Sequence, residues 1–244
     1  SLVGSEMCIR DSVCGGTYYG PADKLQEEVM SVITDSRKAE EGCLFVPIVG
    51  ERVDAHKFIP QVMEAGALAT LSERVLDNAD FPYIAVESSL QAVKDIAEFY
   101  LKQLQIPVVG ITGSVGKTTT REMISTVLAS QKKVFQTIGN QNSQIGVPLT
   151  LSHLTREDEI AVLEIGMSER GQIEKLTNMI RPNVAVVTMI GVSHIAQLKT
   201  QENICLEKMD IVKGLPEDGM VFLNGDDKFL APYRDKLSHK TFFY

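Results

Sequence analysis

Two hydrophobic rhythms divide the chain. From residue 106 onward, short apolar-rich runs over Ile106 to Thr112, Lys133 to Thr137, Ile160 to Ile165, Val184 to Met189 and Met220 to Leu223 alternate with longer stretches of mixed polarity. Such runs predict buried strands. The intervening stretches predict helices from Lys117 to about Ser130, from about Gln144, from about Glu169, over Gln201 to Lys213 and from Asp227. Strands alternating with helices imply a P-loop-type domain built on a mostly parallel, doubly wound sheet covered on both faces. Between residues 13 and 86 the apolar runs are shorter (Leu44 to Val49, Leu68 to Leu71), Gly, Pro and Asp punctuate densely, and one helix is expected from His56 to Ala65. That pattern predicts a small mixed α/β domain. Leu90, Val93, Ala97, Tyr100, Leu101 and Leu104 recur at helical spacing, so a linker helix is expected within residues 87–105 and the second domain over 106–244.

Composition narrows the class. A chain of 244 residues is long enough for one large or two small domains. With 44% hydrophobic and 23% charged residues it is neither disordered nor membrane-inserted, since no apolar run approaches the roughly 18 residues needed to span a bilayer. The net charge of -8 opposes broad binding to a nucleic-acid backbone, so an anionic ligand has to be held by local charges and backbone dipoles. Cys8, Cys14, Cys43 and Cys205 form no C-x-x-C pair, which points to a reduced, cytoplasmic protein. Ser1 to Ser12 lacks the basic and apolar regions of a secretory signal and is expected to be a non-native leader outside the fold. At the other end Lys240 to Tyr244, an aromatic β-prone run, is expected to leave the second domain incomplete at its C-terminus.

Chemistry concentrates at the expected strand ends, where doubly wound sheets bind ligands. Gly110 to Thr119, GITGSVGKTT, follows an apolar strand and opens a helix. Backbone amides of Gly113, Ser114, Val115 and Gly116 can turn around a phosphate, Lys117 can reach the terminal phosphates, and the Thr118 hydroxyl can ligate Mg²⁺, with Thr119 beside it. The loop is a variant of the strict phosphate-loop pattern, with Ile111 where that pattern places Gly. Glu164 ends an apolar strand and reads as a Mg²⁺ ligand or as a core salt-bridge partner. His194, in Gly191-Val-Ser-His194, is a metal ligand or a packed histidine. Asn140, Asn142 and Ser143 contact substrate or cap the next helix. Ser36 and Arg37 sit in Thr34-Asp-Ser-Arg37, an anion clamp or a solvated turn, and Asp54 before His56 reads as a helix cap.

These segments together resemble the Mur ligase family. The phosphate loop is similar to that family's ATP loop, Leu163 to Ile173 to its acidic strand segment, and Gly191 to Ile195 to its His segment. Glu207-Lys-Met-Asp-Ile211 resembles the segment carrying a carbamylated lysine, and Leu223 to Asp227 the stretch whose Asn meets adenine. Thr34 to Arg37, Gly42 to Phe45, Asp54 to Phe58 and Thr137 to Thr150 resemble the branch that joins D-alanyl-D-alanine to UDP-N-acetylmuramoyl-tripeptide. Ala55 and Leu198-Lys-Thr200 depart from the usual pattern, and the resemblance covers only the first domain and the larger part of the second. It implies an ATP-dependent ligase using Mg²⁺ and an acyl phosphate, with Lys117, Glu164, His194 and a carbamylated Lys208 as catalytic groups. By the same resemblance Thr118, Glu164 and His194 hold metal and Asn224 meets adenine. Asn140, Asn142 and Ser143 then position the muramoyl-peptide, and Ser36 and Arg37 lie near the uridine diphosphate. A monomer is expected, and a chain of this extent is expected not to ligate alone. A folylpolyglutamate-type or other Mur-type ligase and a P-loop NTPase or nucleotide-binding module remain the alternatives. Without the family, Lys208 reads as a solvated helix lysine.

Overall fold

A computed structural model describes residues 13–50 and 52–244; Ser1 to Ser12, expected above to be a leader, lies outside the described residues, Cys8 included. The chain divides into two compact units, one comprising residues up to 103 together with 151–155, the other 104–150 together with 156–244.

In the first unit five short strands, β1 (Thr17–Tyr19), β2 (Ser31–Ile33), β3 (Cys43–Phe45), β4 (Ala69–Ser72) and β5 (Tyr83–Ala85), form one sheet in the order β1-β5-β4-β3-β2. All pairings are parallel except β1 with β5. The helix expected over His56 to Ala65 is a 3₁₀ turn, Ala55–Phe58, that runs into α1 (Ile59–Glu64). Its buried side, Ile59 and Val62, packs with Ile33, Cys43 and Phe45. The linker helix is α2 (Ser89–Leu104), buried along Ala92, Val93, Ile96, Ala97, Tyr100 and Leu101.

The second unit holds six strands, all parallel: β6 (Val108–Thr112), β7 (Val134–Gln136), β8 (Ile160–Glu164), β9 (Val184–Val187), β10 (Met220–Leu223) and β11 (Lys240–Phe243). Their order is β11-β10-β9-β6-β8-β7. The chain therefore crosses from β6 to the edge strand β7, returns to β8 beside β6, and then moves to the other side of β6 and outward through β9, β10 and β11. The reversal opens a crevice beyond the carboxyl end of β6, where ligands of such sheets bind.

The helices are α3 (Lys117–Leu128), α4 (Gly146–Leu151), α5 (Gln172–Ile180), α6 (Ile195–Leu198) and α7 (Gln201–Met209). Three differ from the expectations above. The helix expected over Gln201 to Lys213 is α-helical only to Met209, and residues Asp210–Gly214 tighten into a 3₁₀ turn. The helix expected from Asp227 is a turn followed by a 3₁₀ segment, Ala231–Asp235; the Asp227 carboxylate accepts from the Phe229 and Leu230 amides and so stabilises a turn there. The short α6 falls in a segment for which no helix was predicted.

Candidate phosphate-binding and ligase site

The phosphate loop is shaped by two glycines. Gly116 has φ 88° and turns the chain into α3, so that the first helical bond runs from the Thr120 amide to the Gly116 carbonyl and the amides of Lys117, Thr118 and Thr119 lack a helical acceptor. Gly113 has φ 148°, and a Cβ there would lie 1.9 Å from Thr188 Oγ1. The far side of the loop is pinned. Thr188 Oγ1 donates to the Val115 carbonyl at 2.6 Å, the Ser114 amide to the Met189 carbonyl at 2.8 Å, and Ser193 Oγ to the Ser114 carbonyl at 3.4 Å. The segment carrying His194 is thus bonded to the phosphate loop.

Lys117 folds back and donates to the Gly113 carbonyl at 2.8 Å. Burial lowers its pKa and the nearby Glu164 opposes that shift. His194 occupies a left-handed conformation at the start of α6 (φ 65°), and its pKa is lowered by burial and by the positive charges of Lys208 and Lys117. Lys208, on α7, is only 2% exposed, and no carboxylate forms an ion pair with it among the described residues. Burial and Lys117 bring its pKa down to about 8 against a weaker upward pull from Glu207. Three side chains from separate segments therefore share one positive field. The solvated reading of Lys208 is incorrect: α7 turns it inward.

Glu164 is 1% exposed. Its amide donates to Thr137 Oγ1 at 2.8 Å, and Asn142 Nδ2 donates to its Oε2 at 3.4 Å. Arg121 Nη1 lies 3.0 Å from Oε1, off the angle a hydrogen bond needs, so that Oε1 has no hydrogen-bond partner. The salt-bridge partner anticipated for this carboxylate exists, and it leaves one oxygen unsatisfied. Among the described residues no group of three His, Cys, Asp or Glu side chains converges on a metal position. One carboxylate oxygen and one hydroxyl, on exposed Thr118, still suit Mg²⁺, which keeps waters and substrate phosphates in its shell rather than an all-protein cage.

Ser143 behaves as a cap, its Oγ accepting from the Gly146 amide at 3.1 Å, while Asn140 is exposed and Asn142 reaches Glu164. Asn224 Oδ1 accepts from the Asp226 amide at 3.0 Å at the end of β10. In the first unit Arg37 is not a free clamp. Its guanidinium forks onto Asp35 at 2.9 and 2.7 Å with a side chain 86% exposed, and this contact holds the Asp35 carboxyl at about 2. Ser36 lies in the 3₁₀ turn that Asp35 caps. Asp54 caps its turn as expected: Oδ1 accepts from the His56 amide at 2.9 Å and from Nδ1 at 2.6 Å, and Arg74 pairs with Oδ2 at 2.9 Å. His56 Nε2 accepts from the Glu73 amide at 3.0 Å, which places the ring proton on Nδ1.

Three residues with structural roles at the site went unmarked in the sequence. Arg121 sits at the apolar positions of α3, in register with Ile124, Ser125 and Leu128, and a charge on such a stripe was the available signal. Glu207 caps α5, accepting from the Gly171 and Ile173 amides at 2.9 and 3.2 Å, and Asp227 accepts from the Ile190 amide at 2.7 Å. These contacts carry no local pattern, because the Gly171, Ile173 and Ile190 amides lie far away in sequence.

Residues 111–244 match the family model of the Mur ligase middle domain. The chain belongs to the Mur ligase family. A UDP-N-acetylmuramoyl-tripeptide–D-alanyl-D-alanine ligase of Bacillus subtilis is 44% identical over 217 residues, which are 88% of this chain and 47% of that protein. A MurF crystal structure from Acinetobacter baumannii superposes with a TM-score of 0.89 at 31% identity, over 96% of this chain and 51% of that one. A MurF ligase of Thermotoga maritima in complex with ADP superposes with a TM-score of 0.80 at 34% identity, over 87% of this chain and 49% of that one. This Mur ligase chain spans about half the length of the curated relatives it matches.

Proposed function

We propose that the chain supplies the UDP-substrate and ATP-handling parts of a ligase that joins D-alanyl-D-alanine to UDP-N-acetylmuramoyl-tripeptide in peptidoglycan synthesis, in the cytoplasm. What carries the reading is the gathering of Lys117, His194 and the buried Lys208, which has no ion-pair partner among the described residues, beside Glu164 Oε1, which has no hydrogen-bond partner, at the mouth of a phosphate loop. Similarity to ligases so named supplies the substrates.

Joining a carboxylate to an amine at neutral pH needs an activated acyl group, and transfer of the ATP γ-phosphoryl group to the tripeptide carboxylate provides it as an acyl phosphate. Such transfer is mostly positioning and charge neutralisation. Lys117 leaves the Gly113 carbonyl to neutralise the terminal phosphates, and the loop amides receive their oxygens. Thr118 and Glu164 would hold Mg²⁺ and His194 a second ion, and bound metal would supply charge neutralisation during the transfer. Lys208, with a pKa of about 8, offers a neutral amine to CO₂ at near-neutral pH, and a carbamate there would turn a repelled cation into an anion able to orient metal. Asn142 extends the loop that would receive the muramoyl-peptide, with Asn140 and Ser143. Asn224 would meet adenine, and Ser36 and Arg37 the uridine diphosphate.

The test uses the protein at the full length of its relatives, incubated with Mg-ATP, the UDP-linked tripeptide and D-alanyl-D-alanine. Phosphate release that requires both the acid and the amine, with the pentapeptide as product, supports the reading. Release indifferent to the amine contradicts it and favours an NTPase. Lys208→Ala lowers ligation and added acetate partly restores it; a fully active Lys208→Arg overturns the carbamate.

A further inference from the structure

Arg121 joins the proposed metal carboxylate to the loop proposed to hold the acyl substrate. It projects from α3 one helical turn after Lys117, yet its side chain is only 7% exposed. Nη1 donates to the Thr137 carbonyl at 2.9 Å and to the Gly139 carbonyl at 3.0 Å, and lies 3.0 Å from Glu164 Oε1. Nη2 pairs with Glu122. Thr137, whose carbonyl Arg121 holds, also accepts the Glu164 amide on its hydroxyl, and the Gly166 amide donates to the Asn142 carbonyl at 2.7 Å. The loop over 137–142 and the end of β8 are thus laced together from two sides, with one guanidinium between them.

A buried ion pair kept for stability is normally closed, with a bidentate fork satisfying both partners, because each desolvated charge left open is costly. Here Nη1 has two hydrogens facing three acceptors, and the closure is incomplete: Arg121 Nε and Glu164 Oε1 are both buried without a hydrogen-bond partner. The arginine spends its directed bonds on the loop carbonyls and gives the carboxylate only charge. With Oε2 accepting from Asn142 and Oε1 facing the guanidinium without a hydrogen bond, the carboxylate keeps its position while an Oε1 lone pair stays available.

We propose that Arg121 is a positioning residue. It anchors the 137–142 loop through the Thr137 and Gly139 carbonyls and holds Glu164 electrostatically, with Oε1 free, for the metal of a bound Mg-nucleotide. This rests on the reading of Glu164 as a metal-holding group. The conformation of the loop and the metal affinity of the nucleotide pocket are then linked through one side chain.

The experiment titrates the 244-residue chain with ADP, with and without Mg²⁺, by calorimetry, for the unmutated protein, Arg121→Gln, Arg121→Lys and Glu164→Gln. Arg121→Gln is expected to weaken the Mg²⁺-dependent part of ADP binding by about tenfold or more, as loss of a group orienting a metal ligand does, and to leave Mg²⁺-free ADP binding within about twofold. Arg121→Lys, which keeps the charge, recovers most of the Mg²⁺ dependence. Amide hydrogen exchange at Glu164 and Gly166 rises in Arg121→Gln. An Arg121→Gln chain that binds Mg-ADP like the unmutated protein overturns the proposal, and so does equal weakening with and without Mg²⁺. If Glu164→Gln also leaves Mg²⁺ dependence intact, the metal reading of Glu164 has failed; if only the Arg121 variants do so, the failure belongs to this inference alone. Should Arg121→Gln not fold, a crystal structure of the unmutated chain with Mg-ADP decides. Nη1 within hydrogen-bond distance of both loop carbonyls and Oε1 turned to the metal supports the proposal, and a guanidinium withdrawn from the loop overturns it.

Discussion

The charged residues of the first unit and those around the phosphate loop obey opposite rules. In the first unit Arg37 closes on Asp35, and Asp54 collects His56 and Arg74. Arg37 and Arg74 pair at the surface, where pairing is inexpensive, and the buried His56 is satisfied by Asp54 and the Glu73 amide. Around the phosphate loop burial lowers the pKa of Lys117, His194 and Lys208, the charge of Lys117 adds to that shift at Lys208 and both lysines add to it at His194, while Glu164, which pulls the other way on Lys117, also meets Arg121 and leaves an oxygen without a hydrogen-bond partner. Paired charges define a shape; like charges held together by the fold await an anion. The contrast supports the proposed site in the crevice beyond β6, and it can be broken in several ways.

The largest effect is expected where the loop has least room. Gly113→Ala drives a Cβ to 1.9 Å from Thr188 Oγ1, an atom already bonded to the Val115 carbonyl, at a φ that non-glycine residues avoid. It should cost about 4 kcal/mol of stability and abolish nucleotide binding. Gly139→Ala, also at positive φ but with open space around it, should cost about 1 kcal/mol. Urea denaturation of both variants checks the contrast, and equal losses would remove Thr188 from the account.

Next comes Lys208→Met. Its pKa falls from about 10.5 unfolded to about 8 folded, so the unfolded chain binds more protons between those values and stability rises with pH across that window. Below pH 8 the buried charge penalises folding by roughly 3 kcal/mol. In CO₂-free buffer at pH 7, Lys208→Met should therefore be more stable than the unmutated chain, with the gain shrinking toward pH 10. A variant that melts lower at every pH means that Lys208 is compensated and that the positive field is not what it is taken to be.

These residues also mark how far the sequence could be read. The strands and helices of the second unit were legible because parallel strands buried on both faces read as apolar runs, and Gly113, Gly116 and Lys117 lie within one contiguous motif. Arg121, Glu207 and Asp227 were not legible as site residues, since a charged residue acquires its meaning from partners 16 to 37 positions away. The helix end at Met209 was hidden for a different reason: a 3₁₀ turn continues the apolar spacing for one more turn, with buried Ile211 continuing the core. In the first unit, strands of three or four residues carry too little periodicity to be placed, although the Asp54 cap could be.

Smaller effects belong to the paired side of the comparison. Asp54→Ala removes a cap and strands the His56 Nδ1 proton in a buried position, an expected loss of about 2 kcal/mol in thermal denaturation. Asp54→Asn, which keeps an acceptor, should recover part of it. Arg37→Ala, exposed and paired only with its neighbour, should leave the melting temperature unchanged while weakening binding of a UDP-linked muramoyl-peptide. A large melting shift with unchanged binding would reverse the assignment and make Arg37 a structural residue.

The central claim, that the lysines gathered beside the phosphate loop hold a Mg-nucleotide, is tested most directly by calorimetric titration of the 244-residue chain and of Lys117→Met with ADP, in the presence and absence of Mg²⁺. If Lys117 gives up its bond to the Gly113 carbonyl to meet the phosphates, as proposed, binding is saturable, Mg²⁺ strengthens it, and Lys117→Met weakens it by at least about tenfold while the variant stays folded. Equal affinity in the two proteins, or binding indifferent to Mg²⁺, would contradict it.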